Sequence, residues 1–425
     1  MTLDKREMWM QNVLVPQIVK KCDLHGGTIL KTELRALETQ KDNWASDMYE
    51  IDLLVNKKGE NKNLSFLLKL TSESEVVLSR WQSDKQFFNE IHFYSIVIPL
   101  FSSYTTIQQI KSKLENLFPK CYDTYYNKDE NTQSFQDAVL VMENLKCRNF
   151  KLGNRTSLDL DHFLIAFRSL GLFHAFSYFL KERDSEAFEN VVVKPIRETN
   201  YSPQNEEIMN IIFKVSENRV IDALAAEGDP RVSRLREVAA RKPFDLMSGI
   251  AKPEEPLAVL CHGDFLRNNV LFRYEDGKPV EMKFIDFQTI RYASPAIDLS
   301  LLLCMNSTHE LREQHFHELL KVYHTSLRKT LAALLGKPEG ELDPRYSFEA
   351  FLADFRRHAV YGYIITIEFL PWMFSEGEEF KEFMELNMTA KGSPKYNELA
   401  SRLGGKNATE ALVTLTKDLL EYQCL

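Results

Sequence analysis

The first third of the chain alternates short apolar runs with polar segments. Three apolar runs cover residues 28–34, 48–55 and 64–70, and the second run is followed by Asn56-Lys57-Lys58-Gly59. Short runs separated by turn-forming residues predict a meander of antiparallel strands. A further apolar run at 138–142 predicts the last strand of this part of the chain.

One helix is expected among these strands, from about Lys85 to Val97. Within it, Phe87, Ile91 and Tyr94 recur at i, i+4 and i+7. This spacing places the three side chains on one buried face of a helix. Glu90 lies one turn from Phe87 and Tyr94, so it is expected near that same face.

Beyond about residue 150 the apolar positions follow a helical period. The pattern predicts an amphipathic helix at 160–180 and further helices at 206–225, 230–251, 297–305, 310–335, 348–369 and 408–422. A mostly β part followed by a larger helical part predicts an α+β fold. We expect an N-terminal lobe of residues 1–143 and a helical lobe of residues 144–425, joined at Glu143-Asn144-Leu145-Lys146.

Composition narrows the classes of function. The net charge of −8 disfavours nucleic acid as a partner, because phosphate binding favours a basic face. The sequence contains no basic run of the kind that binds a membrane surface. The apolar stretch from Tyr361 to Phe374 is shorter than the roughly 20 residues that a membrane-spanning helix needs. The charged start lacks the apolar core of a signal peptide. Six scattered cysteines indicate reduced thiols, so we expect a cytoplasmic protein.

The strongest chemical signal lies around residues 262–288. His262-Gly263-Asp264 is followed by Asn269, and Phe284-Ile285-Asp286-Phe287-Gln288 closes a second apolar run. Between them, two strand-like segments flank Glu275-Asp276-Gly277-Lys278, which predicts a hairpin. A hairpin returns the chain to the same edge of the fold, so Asp264, Asn269 and Asp286 are expected to converge.

An Asp, an Asn five residues later and a second Asp before Phe follow the order of the kinase signature. In phosphoryl transfer from ATP, one carboxylate orients the attacking hydroxyl, and an Asn and another carboxylate hold the magnesium ions. We therefore assign Asp264 as the base and Asn269 and Asp286 as ligands of Mg²⁺. The first element reads HGD instead of HRD. HGD is the form found in kinases of small molecules, such as choline kinases and aminoglycoside phosphotransferases.

A kinase also needs a cation on the phosphates of ATP. Lys69 lies within an apolar strand, where it needs an anionic partner. Glu90 is the predicted partner; the alternative is an edge-strand lysine that points to solvent. Ser46, at the end of a Gly-free turn, is a candidate contact to the phosphates or simply part of a solvated turn. Glu143 and Leu145 are expected to offer backbone groups to adenine, unless this connection has no ligand role.

Two residues have predicted structural roles. His262 is expected to brace the loop and not to transfer protons. Asp298 starts an apolar helix, where it either stabilises the positive end of the helix dipole or accepts hydrogen bonds from the backbone of the HGD loop. The aromatic residues of 361–363 and 369–374 either line an apolar acceptor pocket or form core.

Taken together, these motifs resemble those of the ecdysteroid kinase-like (CHK kinase-like) family, within the choline kinase and aminoglycoside phosphotransferase group. The matching stretches are Lys69, 87–94, 142–145, 173–175, the HGD loop, 284–288 and 294–299. The resemblance implies a bilobal protein kinase-like fold and ATP- and Mg²⁺-dependent phosphorylation of a small-molecule hydroxyl, on ecdysteroids or dietary toxins. This sequence departs from the family pattern at Asp42-Asn43-Trp44 and at Asn144.

Two other functions stay open. One is a catalytically inactive relative that binds a lipophilic ligand or a protein partner; retention of Lys69, Asp264, Asn269 and Asp286 together argues against it. The other is the same chemistry on choline, an amino sugar or a protein hydroxyl. Ser294-Pro295 and the helix of Asp298 follow Asp286 almost at once, which leaves no long activation segment and disfavours a protein substrate.

Overall fold

The computed structural model describes the chain except for residues 1–4, 23, 25, 38–45, 73–81 and 129–134. The chain forms two compact units. The first consists of residues 1–151 with 283–288, and the second of residues 152–282 with 289–425. An antiparallel sheet dominates the first and helices dominate the second, so the predicted α+β class is confirmed.

The sheet of the first unit has five strands in the order β1-β2-β3-β5-β4. They are β1 (Thr28–Leu37), β2 (Ser46–Lys57), β3 (Glu60–Thr71), β4 (Cys121–Lys128) and β5 (Phe135–Glu143). All neighbouring pairs are antiparallel. The turn between β2 and β3 has positive φ at both Lys58 (53°) and Gly59 (86°), as in the favoured two-residue hairpin turn.

The pattern missed β4, an edge strand with the polar sequence CYDTYYNK. An edge strand can carry polar residues on both faces. The alternation of apolar and polar residues that reveals a half-buried strand is therefore weak there. The four strands that the apolar runs predicted are present, each longer by two or more residues than its run.

Helices pack around this sheet. They are α1 (Lys5–Trp9), α2 (Val15–Lys21), α3 (Ser83–His92), α4 (Ile98–Tyr104) and α5 (Gln108–Asn116). A π-helical turn at Met10–Leu14 joins α1 to α2, and another at Phe93–Val97 joins α3 to α4. The predicted helix at 85–97 is therefore the middle of a longer helical segment.

The main helices of the second unit pack into a large apolar core. They are α6 (Leu160–Arg183), α7 (Ser185–Ala187), α8 (Glu206–Ala226), α9 (Val232–Ala239), α10 (Pro243–Ile250), α11 (Ala296–Asn306), α12 (His309–Leu335), α13 (Phe348–His358), α14 (Val360–Met373), α15 (Gly377–Thr389), α16 (Pro394–Arg402) and α17 (Gly405–Glu421).

The remaining strands are short. They are β6 (Phe150–Leu152), β7 (Val259–Cys261), β8 (Val270–Glu275), β9 (Lys278–Phe284) and β10 (Arg291–Ala293). β8 and β9 form the predicted hairpin, whose turn has positive φ at Asp276 (48°) and Gly277 (79°). β7 pairs antiparallel with β10.

Two predicted helices are wrong in extent. The segment 230–251 is broken into α9 and α10, because Pro243 at the start of α10 has no backbone N–H and cannot continue a helix. The segment 348–369 is broken into α13 and α14 at Ala359. α15 and α16 were not predicted.

α6 was expected to be amphipathic, yet most of its side chains are buried. By length and composition it is the one described helix that is apolar enough to cross a membrane, and 72% of its most apolar window is buried inside the protein. A core helix of a globular protein has the same properties.

Candidate functional site

Lys69 is the centre of a buried charge cluster in the first unit. It lies on β3, and its Nζ is 2.7 Å from Oε2 of Glu90 on α3 and 2.7 Å from Oδ1 of Asp286. Lys69 is 5% exposed and Glu90 0%. The first unit thus brings three of the predicted site residues together around one ammonium group.

Burial and the neighbouring charges set the protonation of this cluster. Burial lowers the pKa of Lys69, but the Asp286 and Glu90 carboxylates outweigh it, so the pKa is raised and the ammonium stays charged. Burial raises the pKa of Glu90 to about 7, with Lys69 opposing and Asp286 adding to the rise. The lysine does not offset this effect of burial, because its single positive charge is shared between two carboxylates.

The backbone around Asp286 is held in an uncommon conformation. Asp286 has a φ of 68°, a region that few non-glycine residues adopt. Immediately after it, the ring of Phe287 stacks on Phe93 with centroids 3.6 Å apart and planes within 10°. Nδ2 of Asn89 donates to the backbone oxygen of Gln288 at 3.1 Å. These contacts hold the segment that presents the Asp286 carboxylate to Lys69.

Asp264 and Asn269 form a second cluster, in the second unit. The Asn269 side-chain amide donates to both the backbone oxygen and Oδ2 of Asp264, each at 2.8 Å. Asn269 ends a short 3-10 turn, Arg267–Asn269, that closes the loop after β7. The hydrogen bonds fix the Asp264 carboxylate. The amide oxygen of Asn269 accepts from Nδ2 of Asn268 at 3.2 Å and has a second lone pair.

Asp298, on the first turn of α11, is bonded to the backbone of the HGD loop. Its carboxylate accepts from the backbone N–H of His262 at 2.7 Å and of Gly263 at 2.8 Å. His174 completes the arrangement: one ring nitrogen lies 3.2 Å from Oδ2 of Asp298 and the other 2.9 Å from the hydroxyl of Tyr323. Burial lowers the pKa of His174, although Asp298 opposes the effect.

The loop has no room for a side chain at Gly263. Its φ is +85°, and a Cβ there would lie 1.9 Å from the backbone oxygen of Thr289. His262 is fully buried, and its Nδ1 accepts from the backbone N–H of Asp264 at 3.3 Å. These local contacts position the Asp264 backbone within the second unit.

Sequence reasoning missed two buried polar residues on elements that adjoin this loop. Oδ1 of Asn306, at the end of α11, accepts from the backbone N–H of Arg267 at 3.1 Å. Arg291, on β10, lies opposite Cys261 on β7, the strand that enters the loop. Asn306 ends an apolar helix and Arg291 follows the DF motif, and neither position has a spacing that marks it in the sequence.

The remaining predicted contacts lie elsewhere in the first unit. Ser46 begins β2, is buried, and its hydroxyl faces Sδ of Met48 at 3.9 Å. The rest of the predicted phosphate turn, residues 40–45, lies outside the described residues. The Glu143 carboxylate accepts from Arg148 at 2.9 Å, and Leu145 is buried.

Tyr361 and Tyr363, expected either in a pocket or in the core, are both almost fully buried on α14. The Thr416 hydroxyl donates to the Tyr363 hydroxyl at 3.2 Å, which ties Tyr363 into the packing of α17. Tyr361 lies instead beside Tyr201, with ring centroids 6.5 Å apart. The two aromatic residues therefore have different surroundings.

Comparison with known proteins gives one strong match. A model of the ecdysteroid kinase-like family matches residues 40–336, well over half of the chain. The resemblance inferred from the motifs is confirmed. No curated protein matches the chain.

Among solved structures, the GDP complex of wild-type aminoglycoside 2'-phosphotransferase-IIIa has a TM-score of 0.38 and 12% identity, over 96% of this chain and 98% of that chain. The GDP and kanamycin complex of APH(2")-IIIa has a TM-score of 0.38 and 13% identity, over 96% of this chain and 98% of that chain.

Proposed function

Because this chain belongs to the ecdysteroid kinase-like family, we propose that it is a kinase that uses ATP and Mg²⁺ to phosphorylate a hydroxyl group of a small lipophilic molecule. The acceptor class that we propose is an ecdysteroid or a plant or dietary toxin. The observation that carries the proposal is the ammonium of Lys69, bonded at 2.7 Å to both Glu90 and Asp286.

In the first unit, Lys69 would bind the phosphates of ATP. A buried ammonium between two carboxylates is costly to desolvate, and a hydrophobic residue of similar volume would often be as stable. A functional need explains its retention better than a structural one. Glu90 would keep the lysine charged and extended, as a helix glutamate does in kinases.

In the second unit, Asp264 would orient the acceptor hydroxyl and take its proton. The two hydrogen bonds from Asn269 and the bracing of the loop by Asp298 hold Asp264 in one position. Positioning of this kind accounts for much of the rate acceleration in phosphoryl transfer. A pure binding protein would not need the same set of groups.

The proposed ligands of Mg²⁺ are Asp286 in the first unit and Asn269 in the second. Mg²⁺ prefers carboxylate and carbonyl oxygens, and each of these side chains offers one; the amide nitrogen of Asn269 donates to Asp264. When bound, Mg²⁺ would neutralise charge on the phosphates. Ser46, Glu143 and Leu145 remain proposed contacts to the nucleotide.

The acceptor is tested by comparing two classes of small molecule. Choline or an amino sugar is the alternative class, and a cytoplasmic location is part of the same proposal. We would test both classes by measuring ATP consumption by purified protein against steroids, alkaloids, glycosides, choline and amino sugars. Mass spectrometry of each consumed compound should show one added phosphate. Lack of transfer to every compound would contradict the proposed activity.

Replacement of Asp264 by Asn should lower kcat by about 10² to 10⁴, the usual contribution of a positioned general base. ATP binding should persist, because Asp264→Asn leaves the Lys69 cluster intact. Steady-state kinetics and calorimetric ATP titration measure the two quantities. Asp276→Asn, in the exposed hairpin turn, is the matched control and should turn over normally. Unchanged kcat in Asp264→Asn would remove the assigned base.

A further inference from the structure

Three side chains of the second unit that could bind a metal ion meet at its surface. Asp354 and His358 lie one turn apart on α13, and Glu254 lies in the segment before β7. One carboxylate or imidazole atom from each residue lies within 4.8 Å of those from the other two. Two carboxylates and one imidazole form a donor set that suits Zn²⁺ and related divalent transition metals.

The ring of His358 is held as it is in metal-binding histidines. Its Nδ1 lies 2.9 Å from the backbone oxygen of Asp354. Because a carbonyl oxygen can only accept, Nδ1 carries a hydrogen, and Nε2 has the free lone pair of the neutral ring. Histidines that bind metals usually donate their other ring N–H to a carboxylate, a backbone oxygen or water, which fixes the ring. Among the described residues, Nε2 of His358 has no hydrogen bond.

The spacing of the donor atoms fits a shared ion better than a direct hydrogen bond. Nε2 of His358 lies 3.6 Å from Oε2 of Glu254. Two ligand atoms of a tetrahedral Zn²⁺, each about 2.0–2.2 Å from the ion, are roughly 3.3–3.6 Å apart. A hydrogen bond between the same two atoms would bring them to about 2.7–3.2 Å.

A protein cation already lies between the two carboxylates. Nη2 of Arg357 is 3.3 Å from Oε2 of Glu254 and 3.3 Å from Oδ1 of Asp354. The side chains of Arg357 and Glu254 are 61% and 58% exposed, whereas those of Asp354 and His358 are 1% and 4% exposed. The cluster is therefore open to solvent on the side of Arg357. Since an exposed ion pair contributes only about 0–1 kcal/mol, an entering ion can displace the guanidinium at little cost.

We propose that Glu254, Asp354 and His358 form a binding site for a divalent transition-metal ion of the zinc class, with Arg357 moving into solvent when the ion binds. The two carboxylates balance the two charges of the ion, and water would complete its coordination. Mg²⁺ is a poor occupant, because it is bound by oxygen ligands and not by imidazole. The site thus differs in ligand chemistry from the proposed magnesium site, and it does not depend on the proposed kinase function.

The bound ion would connect three elements of the second unit. Glu254 precedes β7, and Asp354 and His358 belong to α13. Oδ2 of Asp354 accepts from the hydroxyl of Ser294 at 2.5 Å, and the same hydroxyl oxygen accepts from the backbone N–H of Ala296 at the start of α11. Binding should therefore raise the melting temperature, because an ion that binds only the native state stabilises it.

Calorimetric titration of the purified protein with Zn²⁺, in the presence of excess Mg²⁺, tests the site. Wild type should bind Zn²⁺, and Glu254→Gln should bind it about tenfold or more weakly, because one ligand is lost at an exposed position. His315→Gln is the matched control: His315 pairs with Glu318 at 2.7 Å on α12, but it belongs to no three-residue cluster of this kind among the described residues. It should bind Zn²⁺ as wild type does.

Arg357→Gln gives a result of the opposite sign. Loss of the guanidinium removes the competing cation, so Zn²⁺ should bind about two- to fivefold more tightly, the equivalent of one exposed ion pair. A cluster that serves only as an ion-pair network would be weakened by this change and would gain no affinity for Zn²⁺. Absence of Zn²⁺ binding by wild type, equal binding by Glu254→Gln, or unchanged or weaker binding by Arg357→Gln would overturn the proposed site.

Discussion

At the scale of single residues, the shared ammonium of Lys69 determines how the first unit responds to pH. Burial raises the pKa of Glu90 from its ordinary value of about 4.5 to about 7. The native state therefore holds the Glu90 proton more tightly than the unfolded chain does. Stability from this group is largest at low pH and falls as pH rises from about 4.5 to about 7.

This linkage predicts a pH-dependent difference between wild type and Glu90→Gln. Between pH 5 and pH 8, the wild type should lose about 2–3 kcal/mol of stability relative to the variant, because the variant has no carboxyl group to ionise at this position. Urea denaturation at several pH values measures the difference. Exposed Glu60→Gln should follow the wild type throughout. A pH-independent gap between wild type and Glu90→Gln would show that Glu90 is ionised across the range.

Prediction of single residues from the sequence succeeded where the residue type and its position in a strand or helix both indicated a role. Lys69 and Glu90, proposed as a pair from a strand lysine and a helix face, are in contact. Arg291 had no such signal: its environment depends on Tyr201 and Tyr361, which are 90 and 70 residues away along the chain. Side chains gathered by tertiary packing leave no periodic trace in a single sequence.

At the scale of elements, Asp298 on the first turn of α11 has two candidate roles, and the structure distinguishes between them. A carboxylate at a helix start interacts with the helix dipole, which contributes about 0.3–1 kcal/mol. Asp298 also accepts from two loop N–H groups, at 2.7 and 2.8 Å, in a fully buried position. The second role is the stronger, because each buried donor left unsatisfied costs about 1–3 kcal/mol.

Asp298→Ala should therefore destabilise the protein by about 2–4 kcal/mol and lower the proposed phosphoryl transfer by about 100-fold, since a displaced loop misplaces Asp264. Asp161→Ala removes an exposed acid from the first turn of α6 and should cost no more than about 1 kcal/mol. Denaturation and kinetics measure both variants. Equal, small losses would mean that Asp298 interacts with the helix dipole only.

Helices were predicted well where the helical period of apolar residues is long and unbroken, as in α12. The predicted bounds were wrong where a helix-breaking residue lies within the periodic segment. Pro243 ends the run at 230–251, and its position was visible in the sequence. The break at Ala359 has no such residue. There Ala359 keeps a right-handed helical conformation and its N–H still bonds to Phe355 at 2.8 Å, so the interruption leaves no mark in the sequence.

At the scale of the whole molecule, the chain crosses between its two units more than once. Residues 283–288 belong to the first unit although the residues on either side belong to the second. Within the first unit, the backbone N–H of Phe284 donates to Leu117 at 2.8 Å, and Lys283 donates to the backbone oxygens of Asn116 and Phe118. The sequence analysis predicted two lobes that are each one continuous segment, divided at residue 143. The composition of the sequence does not show that residues 283–288 join the first unit.

This return predicts that residues 1–151 alone are an incomplete folding unit. Phe284 and Phe287 are fully buried, and burying one phenylalanine contributes about 1.5–3 kcal/mol. A fragment of residues 1–151 should bind the dye ANS and melt at a lower temperature than the same fragment extended by residues 283–288 through a flexible Gly/Ser linker. A linker of about 15 residues adds little closure cost.

The matched control carries the same linker and segment with Phe284 and Phe287 both replaced by Ser, so that length and backbone are kept and only the apolar rings are lost. It should behave like the unextended fragment, because the stack on Phe93 and the contact with Phe118 are removed. Calorimetry and ANS fluorescence distinguish the three chains. If all three chains melted at the same temperature, residues 283–288 would not contribute to the stability of the first unit. The position of Asp286 beside Lys69 would then have to be maintained by β9 and β10.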